Sequence, residues 1–265
     1  MSAHATAGTR PAHGDAGAWP PGSAEAWSLG PARPRLVQHA VHVWRADLAA
    51  VGDDVAAALG DHERVRAAQI ADARRRRSWM RSRGVLRELL ARYLGSDAGG
   101  VELAVGPHGK PELVGDRGQH PGLFFNLSHS RNLALYAFSA DGPVGVDVQA
   151  AQDARAGEAG DRVALASRAF GEHEAQRLSV VAPAQREWEF LRAWTRHEAE
   201  LKRLGRGLGF GAEADARPGR DSAVTPPDKP RTASWIVELD FGDRAVAALA
   251  LDAQPSELLQ WDWPA

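Results

Sequence analysis

The 265-residue sequence contains no cysteine. A disulfide framework, a thiol nucleophile and a cysteine-ligated zinc site are therefore excluded, and the chain suits a reducing compartment. It also lacks any apolar run near the roughly 18 residues needed to cross a bilayer. No basic stretch followed by an apolar core opens the chain, so no secretory leader is expected and the cytoplasm is the expected location. Excess charge of one sign is missing too: 32 basic and 34 acidic residues leave a formal net charge of -2. That balance argues against bulk nucleic-acid binding, and neither nucleic acid nor membrane is an expected partner. What is present, 44% hydrophobic and 25% charged residues, suffices for one large domain or two modest ones.

Residues 1–35 are rich in Ala, Gly and Pro, with Pro20-Pro21 and Pro31-Ala32-Arg33-Pro34 as breakers. Such a stretch buries too little apolar surface to offset its ordering entropy, so a disordered tail is expected. Val41-His42-Val43-Trp44 reads as a strand. A long helical region is expected over Asp61–Leu94, where Leu86, Leu89, Leu90, Tyr93 and Leu94 follow the amphipathic spacing and Gly95 is a stop. Gly106–Pro111 reads as a turn and 116–122 as a loop, followed by an apolar strand at Leu133–Phe138.

In the strand expected at Val144–Val148, the three valines share one face, so Asp147 and Gln149 share the other. A small, polar loop at 150–165 follows. Helical patterning returns at Ala166–Leu178 and Gln185–Leu204. Residues 211–233, with four prolines among charges, read as a mobile insertion, and Trp235–Asp240 with Ala245–Leu251 as a hairpin. This order predicts an α+β protein of two α/β halves, 36–143 and 144–265.

Four clusters could carry chemistry. On the helix expected at 185–204, Phe190, Leu191, Trp194 and Leu201 form an apolar stripe with Glu198 inside it and Lys202 at its edge. A carboxylate facing a core must be paired or metal-bound, so a structural ion pair and a ligand site both stand; His197 lies on the other flank. Asp147 and Gln149 are either solvated or, with Glu198, hard oxygen ligands suited to Mg²⁺. Phe125-Asn126-Leu127-Ser128-His129-Ser130 is an ordinary polar loop or a phosphate cradle. Among the arginines, phasing puts Arg74, Arg77 and Arg81 on a solvated, mutually repelling surface. Arg76, Arg83 and Arg87 flank the buried face, where a guanidinium could grip a phosphate. A basic-helix nucleic-acid binder is the weaker reading of Arg74–Arg77.

Taken in order, Arg83-Gly84-Val85-Leu86-Arg87-Glu88, Gly109-Lys110-Pro111, Phe125–Ser130, Val144–Val148 and Trp194–Lys202 with Gly205-Arg206-Gly207-Leu208 resemble the Sfp-type 4'-phosphopantetheinyl transferases. The likeness covers about residues 36–251. It implies two similar α/β halves related by a pseudo-twofold, with coenzyme A in the cleft between them. The activity implied is transfer of the phosphopantetheine arm to a serine of an apo acyl- or peptidyl-carrier protein, as in fatty acid, polyketide or nonribosomal peptide synthesis, and a monomer suffices for it.

The resemblance implies Mg²⁺ ligands at Asp147 and Glu198, with Gln149 beside them. It implies coenzyme contacts at Arg83, Lys110, Asn126, Ser128, His129 and Lys202. Glu198, Lys202 and His197 are the implied catalytic groups. Two positions depart from the family pattern: Gln149 stands where Glu is common, predicting weaker metal affinity, and His197 where Lys is usual, replacing a permanent cation by a titrating one. Those departures motivate the alternative of a non-catalytic homologue that binds coenzyme A or a carrier protein.

Overall fold

The computed structural model describes residues 27–106, 109–114, 122–151, 162–206 and 234–264. In chain order the elements are β1 (Ser28–Leu29), β2 (Ala40–Asp47), α1 (Asp61–Ala68), α2 (Ala73–Leu94), β3 (Leu103–Val105), β4 (Pro111–Leu113), β5 (Phe124–Ser130), β6 (Leu133–Ser139) and β7 (Gly145–Ala150). They continue with α3 (Arg162–Phe170), α4 (Glu172–Ser179), α5 (Pro183–Arg203), β8 (Trp235–Leu239), β9 (Ala245–Leu251) and β10 (Glu257–Asp262).

The mixed α+β class is as expected. One sheet has the order β1-β10-β2-β6-β5, another the order β7-β9-β8, and β3 and β4 form a separate hairpin. Strand alternation sorts each sheet's two faces. Val41, Val43, Leu133, Leu135 and Ala137 point from the first sheet into one core with Val144, Val146, Val148, Leu249 and Leu251 of the second. The first sheet's other face, Trp44, Tyr136 and Phe138, packs on Val85, Leu86, Leu89 and Leu90 of α2. Ala248 and Ala250, on the second sheet's other face, pack on Ala199 of α5. The order of layers is thus helix, sheet, sheet, helix.

The two long helices have different stops and starts. Asp72 accepts a hydrogen bond from the Arg75 backbone N–H at 2.7 Å, a cap of about 1 kcal/mol. That cap is why the helical region expected at 61–94 divides into α1 and α2. Gly95 ends α2 with φ +67°, as its place in the sequence suggested. Pro183 opens α5, where a missing N–H costs nothing. The region expected as one helix at 166–178 divides at Gly171, whose φ is +93°.

Three expectations need correction. Residues 27–35 are not tail: Trp27 is buried, and β1 pairs parallel with β10, which itself pairs parallel with β2. The rest of the expected tail, 1–26, lies outside the described residues, as do the 211–233 insertion and most of the 150–165 loop. The boundary at 143/144 also fails to divide the sheets, because β10 belongs to the first. Its Trp261 packs edge-on against His42 and Trp44, and its Asp262 pairs with Arg45.

The arginines divide differently too. Arg81 is not part of a repelling surface: it pairs with Asp53 at 2.7 Å and donates to the Leu48 carbonyl. Arg87 is buried, bonded to Glu63 at 2.5 Å and to the Val101 carbonyl at 2.7 Å, and Arg76 donates to the Ile70 carbonyl. Both guanidiniums brace the fold around α2.

His42 sits 1% exposed beneath α2, with Nδ1 2.8 Å from the Tyr93 hydroxyl and Nε2 without a hydrogen-bond partner among the described residues. The Trp44 indole donates to that hydroxyl at 2.9 Å, leaving the phenolic proton for His42. Burial lowers its pKa from 6.5 to about 4. Between those values the unfolded chain binds a proton that the folded chain refuses. Stability is therefore full above pH 6.5 and falls by about 2–3 kcal/mol on the way to pH 4. Urea melts across that range should show the loss in wild type and a flatter profile in His42→Leu; parallel profiles would clear His42 of the effect.

Candidate active site

The site forms where the two sheets meet at their edges. Asn126, Ser128 and Ser130 alternate along one side of β5, and each side-chain oxygen accepts a backbone N–H of β7. The pairs are Val146 to Asn126 at 2.8 Å, Val148 to Ser128 at 3.4 Å and Ala150 to Ser130 at 2.9 Å. The polar run of β5 therefore works as a side-chain ladder satisfying every second amide of an edge strand. Asn126, expected as a coenzyme contact, is buried in this ladder.

Ser128 does more. Its hydroxyl donates to Asp147 Oδ1 at 2.7 Å and accepts from Lys202 Nζ at 2.9 Å. The Lys202 ammonium also reaches Asp147 Oδ1 at 2.7 Å, while the Gln149 amide donates to Oδ2 at 3.3 Å. Asp147, 2% exposed, is thus a buried carboxylate with both oxygens engaged. Gln149 faces it as a donor; to act as a ligand, its amide would have to reverse.

Gly145 brings α5 this close. A Cβ there would overlap the Ala199 carbonyl oxygen and come within 2.5 Å of the Arg203 amide nitrogen. The missing side chain lets helix and strand touch, so that Glu198 and Lys202, one turn apart, overlie the Asp147 face of β7. Glu198 makes no hydrogen bond or ion pair among the described residues. Burial, then the neighbouring Asp147 charge, push its carboxyl up to about 7, with Lys202 opposing.

The remaining expected residues are placed as follows. His129 is exposed and follows Phe125 and Leu127 in strand alternation, away from Ser128's side. Arg83 lies with its guanidinium 5.2 Å from the Trp79 ring. His197 stands edge-on to Phe170 of α3, ring centres 5.2 Å apart. Lys110 does reach the cluster, but through the backbone: its ammonium donates to the Lys202 carbonyl at 2.9 Å.

Two carboxylates share this partly dry space with one ammonium between them. Among the described residues no three His, Cys, Asp or Glu side chains converge to hold a metal. The donor set fits a hard divalent cation all the same, because Mg²⁺ is commonly held by one or two carboxylates and completed by water and substrate phosphates. Burial and the neighbouring Asp147 charge disfavour the charged form of Glu198, a penalty that a cation held there would offset.

A family model described as the 4'-phosphopantetheinyl transferase superfamily matches residues 143–250, a span holding Asp147, Gln149, Glu198 and Lys202. The 4'-phosphopantetheinyl transferase HetI of Nostoc sp. is 35% identical over 232 residues, covering 85% of this chain and 93% of that relative. The chain belongs to the 4'-phosphopantetheinyl transferase superfamily. Shorter matches to other transferases of this superfamily agree. AcpT of Salmonella typhimurium is 32% identical over 52% of this chain and 64% of its own length. The Bacillus subtilis 4'-phosphopantetheinyl transferase is 26% identical over 48% of this chain and 51% of its own. Among the described residues no helix is long and apolar enough to cross a membrane.

Proposed function

We propose that this chain is an Sfp-type transferase that moves the 4'-phosphopantetheine arm of coenzyme A to a serine of an apo acyl- or peptidyl-carrier protein. The observation that carries this reading is the pairing of a buried, lysine-held Asp147 with a proton-hungry Glu198 on the facing helix. In this reading the two sheet-and-helix units are the family's two halves, the second starting near residue 144 and lending β10 to the first.

Asp147 and Glu198 would hold Mg²⁺, with Gln149 beside them, and the ion supplies charge neutralisation to the coenzyme's pyrophosphate. The residues of the chain do the rest. Lys202 and Ser128 stand where phosphate oxygens can replace Asp147 as their partner, so substrate charge is met by groups already oriented. The carrier serine's oxygen forms a bond to the phosphorus of the phosphopantetheine phosphate. The phosphorus–oxygen bond to adenosine 3',5'-bisphosphate breaks, and the bisphosphate departs with that electron pair. Glu198, or a water that it orients, is the candidate for accepting the serine proton. Arg83, Lys110 and His129 are the further groups the resemblance offers to the coenzyme, and His197 a titratable neighbour of Glu198.

Incubation with apo carrier protein, coenzyme A and Mg²⁺, read by mass spectrometry of the carrier, is expected to add one phosphopantetheine per carrier. Chelation should stop the reaction, and an acceptor-serine-to-alanine carrier should stay unmodified. No mass gain with several carrier types would return the chain to a coenzyme- or carrier-binding role.

A further inference from the structure

Resting on that reading, we propose that Arg203 and Asp252 are a positioning pair, holding the last turn of α5 so that the Lys202 side chain meets the reacting phosphates. The packing beneath this turn leaves its exact place open. Ala199 of α5 lies on Ala248 and Ala250 of β9, and Gly145 of β7 meets the helix backbone directly. A helix is fixed against a neighbour when side-chain ridges enter grooves, and methyl groups beside a glycine offer neither. So flat a contact brings helix and sheet together but does little to stop the helix end from sliding.

Polar ties supply that restraint, and adjacent residues carry them toward either side of β7. Lys202 spans Asp147 Oδ1 of β7 at 2.7 Å and Ser128 Oγ of β5 at 2.9 Å. Arg203 instead pairs through Nη1 with Asp252, the residue after β9, the strand paired with β7 on its other edge. The buried Arg203 guanidinium is itself held in place, because Nε and Nη2 each donate to the Glu200 carboxylate at 2.8 Å.

The turn between these ties is closed. The Arg206 N–H donates to the Leu201 carbonyl at 2.8 Å and the Gly205 N–H to the Lys202 carbonyl at 3.2 Å, with Gly205 at φ +67°. A closed turn shifts as a unit, so a hold on Arg203 is a hold on Lys202. Asp252 is half-exposed, and a carboxylate gains nothing directly from a substrate phosphate. Its benefit to transfer passes through Arg203. Loss of the pair frees the turn that aims Lys202, and a misplacement of about 1 Å near reacting groups can cost about 10²-fold in rate.

The test compares Asp252→Asn, Asp252→Glu and Arg203→Met with wild type by kcat and by direct binding of adenosine 3',5'-bisphosphate. The binding measurements are repeated in a Lys202→Met background. Asp252→Asn leaves Glu200 to neutralise Arg203, so this variant carries the test if Arg203→Met does not fold. It should lower kcat by roughly 10-fold and weaken bisphosphate binding, while its thermal midpoint stays close to wild type. Asp252→Glu keeps the charge and should recover most of kcat. With Lys202 already removed there is no ammonium to misplace, so Asp252→Asn should then change bisphosphate affinity by less than about twofold. Equal losses of affinity in the two backgrounds, or unchanged kcat in Asp252→Asn, would overturn the proposal. Either result beside carrier modification by wild type ends this proposal alone. The transferase reading fails separately, if wild type modifies no carrier while the coupling in bisphosphate binding persists.

Discussion

Glu198→Gln is expected to slow transfer severely while leaving the metal-free protein more stable than wild type above neutral pH. The loss follows from removing the carboxylate that both suits Mg²⁺ and can take the serine proton, and roughly 10²–10³-fold in kcat is the scale for removing such a group. The gain follows from linkage. Glu198 has a carboxyl pKa of about 7 in the folded protein against 4.5 for the ordinary group. The folded form therefore holds the proton more tightly, and stability is full below about pH 4.5 and falls as pH rises to 7. Once solvent screening of this partly open side chain is allowed for, the loss is about 2 kcal/mol. Glutamine has no proton to lose. Chemical denaturation at pH 8 without divalent ions should favour the variant, and at pH 4.5 the two should converge. A variant no more stable than wild type at pH 8 would show that Glu198 is compensated by some other charge.

The second large effect belongs to a residue with no side chain. Gly145→Ala would drive a methyl group into the Ala199 carbonyl and against the Arg203 amide. Both are backbone atoms of a long helix, so neither can step aside as a flexible side chain would. Overpacking of this kind costs about 1–3 kcal/mol and is relieved only by moving α5 off β7. That movement would carry Glu198 and Lys202 away from Asp147, so kcat should fall by about 10²-fold even in protein that remains folded. Thermal melting and kinetics on the folded fraction separate the two losses. Wild-type values for both would mean that the helix does not lie this close.

These two residues also show how far the sequence could be read. Periodicity was enough to place Glu198 and Lys202 one turn apart on an apolar face, and strand alternation to put Asp147 and Gln149 together. It was enough as well for β6, β9 and the body of α2, whose apolar patterns are long. It failed for β10. Leu258 and Leu259 lie among polar neighbours, and the strand's partner is remote: Asp262 pairs with Arg45, 217 residues earlier. No local pattern encodes a pairing of that span.

The polar run of β5 was noticed but misread as a loop. Its spacing at 126, 128 and 130 is that of one strand face, a signal present in the sequence that matched the period of β7. Arg87 looked available to a ligand because its partner Glu63 lies on another helix, across the break at Asp72 that the long apolar pattern concealed. Gly145 was a signal left unread, since an isolated glycine within a strand pattern marks a bulge or a close approach of another backbone.

The position of β10 has a consequence for synthesis. A ribosome releases β2, α2, β5 and β6 long before Glu257–Asp262, yet the slot between β1 and β2 is filled only by that late strand. Until then the nascent first sheet ends in an unpaired β2 edge, and the aromatic face of His42 and Trp44 lacks Trp261. Open strand edges and bare aromatics are what chaperones bind and what aggregates recruit. The first sheet is thus completed late, by residues made after almost everything they contact.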